Sequence, residues 1–153
     1  MELYSIKKLL FILTIISLPL FAFATTLDNQ QVVEDKCNTS LDIKEYAKCS
    51  VEDRWDLTQW DSFYNILDSE SNWCHTKWNG QKSCPDVPRD TKLPGHSNAY
   101  GLCQTMLSKH GLLGDIEFMN NPYQQVDWCI DYAESRYGSP SKAWDYWKLN
   151  RHW

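Results

Sequence analysis

All six cysteines of this 153-residue chain, at positions 37, 49, 74, 84, 103 and 129, lie downstream of a stretch that reads as an export signal. Lys7 and Lys8 precede an apolar run from Leu9 to Phe23, interrupted by Pro19, and Ala22-Phe23-Ala24 is a small-x-small cleavage signature. This predicts a secretory signal peptide over residues 1–24, removed after Ala24. The run is short for a membrane span, so a retained anchor is the lesser alternative and no stable membrane insertion is expected after cleavage. No cysteine directly follows the cut, so a lipoprotein anchor is not indicated. An even cysteine count in an exported domain predicts three disulfides, formed in an oxidising compartment. The number of conceivable pairings is large, but local spacing favours Cys37–Cys49 and Cys74–Cys84 as short loops. Cys103–Cys129 is then left to join two helices. His75 adjoins Cys74, whereas His96, His110 and His152 are scattered, which is not metal-ligand spacing; no metal and no other cofactor is expected.

Removing the signal leaves enough chain for one domain. Residues 25–55 are expected to form an N-terminal lead with a short helix over Leu41–Cys49, placing Ile43, Tyr46 and Ala47 on one side. Residues 56–153 form the main domain. Its first helix is predicted from Asp56 to Glu70, capped by Asp53 or Asp56, with Leu57, Trp60, Phe63, Tyr64 and Leu67 along one apolar stripe. From Cys74 to His96 the pattern breaks into turn signals: Asn79-Gly80, Cys84-Pro85, Val87-Pro88 and Leu93-Pro94-Gly95. A second helix is expected over Ala99–His110, with Tyr100, Cys103, Met106 and Leu107 inward, Gly111 as its stop and Gly101 allowing close approach of a backbone or ligand. Asn121-Pro122 opens a third helix with the stripe Val126, Cys129, Ile130, Ala133 and Tyr137, closed by Gly138. Ser139-Pro140 opens a last one carrying Ala143, Trp144, Tyr146, Trp147 and Leu149. No alternating strand is evident, and at most a small irregular hairpin is expected in the long loop. The expectation is a mostly α single domain with a long disulfide-stapled loop.

The net charge is −5 without a basic run, which argues against nucleic acid and against strong attraction to an anionic membrane. Glu70 stands out by its register, three residues after Leu67 and seven after Phe63. A carboxylate ending an apolar stripe is poorly solvated when ionised, and its pKa should rise. The plain alternative is an ordinary helix-end glutamate that turns outward near Ser71. Aromatic residues make up 14% of the chain, including eight Trp and eight Tyr, more than so small a core absorbs. Such rings stack on the C–H faces of sugars. The cluster Trp144, Tyr146, Trp147 and Trp153 spreads around its helix, so some members should be exposed. A glycan groove with Glu70 as acid is therefore one expectation. Asp86 and Asp90 are the nearest candidates for a second carboxylate, although solvated loop charge explains them better. Cysteine nucleophile chemistry with His96 or His110 would need a free thiol, which export and parity disfavour. No Gly-x-Ser-x-Gly elbow or phosphate-binding glycine loop is present.

Glu70-Ser71-Asn72-Trp73, followed by Ser97-Asn98-Ala99-Tyr100-Gly101-Leu102-Cys103-Gln104-Thr105-Met106, resembles the paired motifs of the SLT-type lytic transglycosylase domain. That domain belongs to the lysozyme-like superfamily, with goose-type lysozymes and resuscitation-promoting factors. Asn121-Pro122-Tyr123-Gln124-Gln125-Val126-Asp127-Trp128, Arg136-Tyr137-Gly138-Ser139-Pro140 and Ala143-Trp144 resemble the C-terminal helices of its small secreted members. The resemblance spans about residues 56–153. It implies a lysozyme-like fold and cleavage of the β-1,4 bond between N-acetylmuramic acid and N-acetylglucosamine in peptidoglycan, with Glu70 first as acid and then as base. Ser97, Tyr100, Gln104 and Met106 would then line the saccharide groove, with Trp144 facing the catalytic acid. A periplasmic or secreted monomer acting on glycan strands is implied. Cys103 and Cys129 stand where the family has Met or small residues, which supports a bridge between them beneath the groove. The segment between Glu70 and Tyr100 is longer than usual. Ala143-Trp144-Asp145 replaces the Ala-Tyr-Asn of many transglycosylases, which leaves a hydrolytic muramidase using Asp86 or Asp90, or a non-catalytic glycan-binding module, as alternatives.

Overall fold

Helix starts in this chain coincide with side chains able to accept the first unpaired backbone N–H groups. In the computed structural model, which describes residues 36–86 and 95–153, Asp42 caps α1 (Ile43–Arg54) by accepting from Lys44 and Glu45 N–H. Asp56 caps a single 3-10 turn, Leu57–Gln59, which runs directly into α2 (Trp60–Ser71). Asp115 caps the short α3 (Ile116–Asn120), for which the sequence pattern offered no signal. Asn121 and Pro122 open α4 (Pro122–Tyr137), and Ser139 and Pro140 open α5 (Pro140–Asn150), as their capping chemistry predicts. Gly138 ends α4 at φ 83°, a left-handed conformation that suits glycine. The proposed signal peptide and most of the lead, residues 1–35, lie outside the described residues, as do residues 87–94 with Asp90. No helix among the described residues is long and apolar enough to cross a membrane.

Two expectations about local structure change. The main helix starts later than Asp56 because Leu57 is 49% exposed and belongs to the 3-10 turn. The helix expected over Ala99–His110 is replaced by an antiparallel hairpin of β1 (Ala99–Tyr100) and β2 (Thr105–Met106), with Tyr100 opposite Thr105. Tyr100 also bridges to Trp78 on its other side. Helix formation here would require backbone N–H groups to find carbonyls four residues back. Instead Gly101 N–H donates to Lys77 O at 2.9 Å and Leu102 N–H to Gln125 Oε1 at 3.0 Å. Gly101 at φ 76° and Gln104 at φ 49° turn the chain between the strands.

The molecule is mostly helical, and its main core forms where α1, α2, α4 and α5 meet. Tyr46, Ala47 and Val51 of α1 pack with Phe63, Ile66 and Leu67 of α2, Val126, Cys129 and Ile130 of α4, and Ala143 of α5. Phe63, Ile66 and Leu67 are fully buried, each removal from water contributing roughly 2 kcal/mol. A smaller cluster of Trp78, Tyr100, Leu107, Phe118 and Met119 fills the space under the hairpin. Three disulfides join Cys37 to Cys49, Cys74 to Cys84 and Cys103 to Cys129, the pairing that spacing favours. The third ties the hairpin turn to α4, rather than joining two helices as expected.

Gln125 of α4 is a polar side chain only 1% exposed inside this frame. Its Oε1 accepts from Leu102 N–H, and the two hydrogens on Nε2 are shared among the carbonyls of His75 (3.1 Å), Phe118 (3.0 Å) and Met119 (3.2 Å). One amide thus satisfies backbone groups of three separate segments. Gly101 leaves the room for it, since a Cβ there would lie 2.2 Å from Gln125 Oε1. Gln125→Leu keeps the volume but orphans these groups, and should cost about 3 kcal/mol or more. Urea unfolding of the disulfide-intact protein will measure it; a loss under about 0.5 kcal/mol, within the range of neutral surface changes, would refute this role.

Candidate functional site

One turn beyond the buried Phe63, Ile66 and Leu67, the same face of α2 carries Glu70 to the rim of the core, where it is mostly but not wholly buried. The helix ends directly afterwards, with Asn72 at φ 56° and Trp73 at φ 59°. Ser71 Oγ donates to Leu102 O at 2.7 Å, which joins the end of α2 to the hairpin turn. From the other side, α5 packs along α2 and brings Trp147 Nε1 to donate to Glu70 Oε1 at 2.8 Å. Glu70 Oε2 has no protein partner among the described residues. Burial pushes the Glu70 carboxyl up to about 7, while the Trp147 N–H and His152 pull it partway back. A carboxylic acid so placed is partly protonated near neutral pH, with one oxygen fixed and the other available.

Glu70 opens into a cleft of about 530 Å³. The hairpin supplies one wall through Ser97, Ala99, Cys103, Gln104 and Met106, and Tyr132 and Arg136 of α4 stand across from it with Arg151, His152 and Trp153 after α5. Gln104 is held by Nε2, which donates to Lys77 O and Gly101 O at 3.1 Å each. Its carbonyl oxygen has no hydrogen-bond partner among the described residues and can accept from a ligand. Trp153 is anchored through Nε1, 3.2 Å from Cys103 O, and its ring stacks on Tyr137 and meets Tyr132 edge-on. The cleft therefore combines apolar ring faces, a free amide acceptor and one buried acid.

Of the residues expected to form the site, Glu70, Ser97, Gln104 and Met106 are brought together around this cleft. Tyr100 is not among its lining residues. It is fully buried, its hydroxyl donates to Met119 O at 3.1 Å, and its ring packs edge-on against Trp78, so it supports the hairpin from beneath. Trp144 does not line the cleft either; it stacks on Trp147 at 5.0 Å and holds that ring against Glu70. The residue facing the acid is thus one helical turn later than expected. Trp147 was visible as a member of the aromatic cluster, but only the packing of α5 on α2 selects it. Tyr132, Arg136, Arg151 and His152 carried no separable sequence signal. Asp86 is exposed and does not line the cleft. Cysteine chemistry is excluded, because all six thiols are used in the three disulfides. A larger depression of about 700 Å³ near Ile116 and Tyr123 is shallow, and its one carboxylate, Glu117, is exposed.

Compared with family models, with curated proteins and with solved structures, the chain matches none.

The raised carboxyl has a measurable consequence for stability. With an ordinary value of 4.5 and a folded value of about 7, Glu70 favours the folded state when protonated and is penalised when ionised. Its contribution is therefore full below pH 4.5 and is lost as pH rises through 7. Glu70→Gln should leave unfolding unchanged near pH 4 and stabilise the fold by on the order of 1–3 kcal/mol at pH 8. Equal effects at both pH values would show that the acid is not desolvated. Trp147→Phe removes the donor that lowers the carboxyl, so direct NMR titration of Glu70 should give a midpoint higher than in the wild type.

Proposed function

We propose that this protein is a lysozyme-like, SLT-type lytic transglycosylase that cleaves peptidoglycan glycan strands with Glu70 as its single acid and base. The observation that carries the reading is the state of Glu70: a desolvated carboxyl raised to about 7 beside a cleft, with one oxygen held by Trp147 and the other without a partner among the described residues. In the first step the protonated carboxyl gives its proton to the β-1,4 glycosidic oxygen, and the bond from that oxygen to the muramic C1 breaks. The resulting carboxylate then takes the proton of the muramic C6 hydroxyl as the C6 oxygen bonds to C1. The proton lost in the first step is regained in the second, and the product carries a 1,6-anhydro ring. No water is consumed.

Among the described residues lining the cleft, Glu70 is the only carboxylate. Glycosidases that use water or a covalent intermediate rely on a second carboxyl group. A substrate that supplies its own nucleophile removes that need, which supports the lyase over a hydrolytic muramidase. Within this reading Gln104 offers its amide oxygen to a sugar hydroxyl or acetamido N–H, Met106 is an apolar wall, and Tyr132 and Trp153 provide ring faces for sugar stacking. Trp147 fixes which carboxyl oxygen faces the bond, and Trp144 keeps Trp147 in place. Tyr100 acts indirectly, by fixing the hairpin. Export to the periplasm or the exterior, as the residue 1–24 signal implies, would bring the enzyme to its substrate.

Digestion of purified sacculi, followed by separation and mass analysis of the fragments, tests this. The wild type should release fragments ending in 1,6-anhydromuramic acid, and Glu70→Gln should lose about 10³-fold in rate while still binding glycan. Fragments with only reducing ends would make the protein a muramidase. Binding without any Glu70-dependent cleavage would make it a glycan-binding module.

A further inference from the structure

The chain as a whole is acidic, at −5, yet the cleft is cationic. Lys109, Arg136 and Arg151 line it, and Glu70 is the only carboxylate among its described lining residues. Away from the cleft, Arg54 pairs with Asp131 and Glu134, and Lys148 pairs with Asp145. None of the three cleft cations has a carboxylate partner among the described residues. Nor is holding Glu70 ionised their evident task, since the groups that act on its charge are Trp147 and His152.

Both arginines are exposed, and each guanidinium lies over an aromatic ring. The Arg136 guanidinium lies 5.6 Å from the Tyr132 ring centre and 5.4 Å from that of Tyr137, and its Nη1 donates to the Tyr132 hydroxyl. Arg151 sits 5.3 Å from the centre of the Trp147 ring, the same ring that donates to Glu70. It is fixed there by the end of α5, where Arg151 adopts φ 61° and its N–H donates to Trp147 O at 2.7 Å. A guanidinium held over a ring keeps its remaining N–H groups for an oxyanion. A neutral β-1,4-linked N-acetylglucosamine chain offers such groups only uncharged hydroxyl and acetamido oxygens, whereas a carboxylate adds charge and a bidentate geometry.

Building on the glycan-cleaving reading, we infer that Arg136 and Arg151 make the cleft selective for glycans that carry carboxylates, discriminating peptidoglycan strands from neutral chains of the same backbone by charge. Two carboxylates in the polymer have this chemistry. One is the lactyl group on muramic acid, free where the peptide has been removed, and the other belongs to the peptide itself. The net negative charge of the chain disfavours non-specific anion binding, so a preference for carboxylates would reflect the local cations of the cleft.

Binding to the cleavage-arrested Glu70→Gln protein tests the inference. The probes are a peptide-free peptidoglycan oligomer with free lactyl carboxylates, the same oligomer with those groups converted to neutral methylamides, a peptide-bearing oligomer, and a chito-oligosaccharide of equal length. The free-carboxylate oligomer should bind about fivefold or more tighter than its methylamide and the chito-oligosaccharide at low salt, a margin expected of two exposed charge contacts. The margin should shrink as salt rises. If the peptide-bearing oligomer alone shows it, the carboxylate recognised is the peptide's. Adding Arg136→Gln and Arg151→Gln together should abolish the margin while leaving affinity for the neutral oligomer in place, and the Arg136→Lys, Arg151→Lys pair should restore part of it. Equal binding of charged and neutral oligomers, or a margin that survives in the double Gln protein, would overturn the inference. Loss of charge preference with Glu70-dependent cleavage intact leaves the enzyme reading standing; absence of both binding and cleavage overturns the two together.

Discussion

A single buried amide decides where the working parts of this molecule stand. Gln125 takes the N–H of Leu102 and gives its own hydrogens to carbonyls before and after the hairpin, at His75, Phe118 and Met119. Ser71, at the end of α2, takes the remaining polar group of the same residue by donating to Leu102 O. Leu102 is thereby clamped from both sides, between α4 and the residue that follows Glu70. Cys103, its neighbour, is then bonded to Cys129, one turn along α4 from Gln125. Two successive residues of the hairpin turn are thus tied to one helix, by a hydrogen bond and by a covalent bond. A turn with left-handed backbone at Gly101 and Gln104 would otherwise be a mobile element. Tied this way, it presents Gln104 and Met106 at a fixed distance from the carboxyl.

Glu70 itself is placed by the opposite kind of interaction, apolar burial. Phe63, Ile66 and Leu67 commit that face of α2 to the core, and the helical repeat carries the carboxylate to its edge whether or not the edge suits a charge. The cost of ionisation is what raises the group to about 7. The fold partly offsets it with one hydrogen bond, from Trp147, and the second oxygen has no partner among the described residues. Stability and the proposed chemistry pull in different directions at this residue, as is common where a group must change protonation state.

Much of this arrangement is legible in the sequence, for identifiable reasons. Asn121-Pro122, Gly138 and Ser139-Pro140 mark the bounds of α4 and α5 because capping is a local matter of a few residues. The disulfide pairing follows from spacing because short loops close readily. The Glu70 register follows from helical periodicity. The hairpin reads as a helix in the sequence because Tyr100, Cys103, Met106 and Leu107 recur at helical spacing. Their inward placement is real for Tyr100, Cys103 and Leu107, but it is produced by a turn whose N–H groups bond to Lys77 and Gln125, residues distant in the chain. Periodicity cannot report a partner that far away. Trp147 was hidden for the same reason: Trp144 and Trp147 share a face of α5, and only the approach of that helix to α2 distinguishes the ring that bonds Glu70 from the ring that backs it.

Glu70 is the only carboxylate among the described residues of the cleft, and the proposed mechanism has the substrate supply the nucleophile. Solvent labelling addresses it most directly. Glycan strands cleaved by the wild-type protein in oxygen-18 water, and sampled early in the reaction, should carry no label at the newly formed muramic C1. Stoichiometric incorporation of the label at that carbon would mean that water attacks, and would contradict that mechanism.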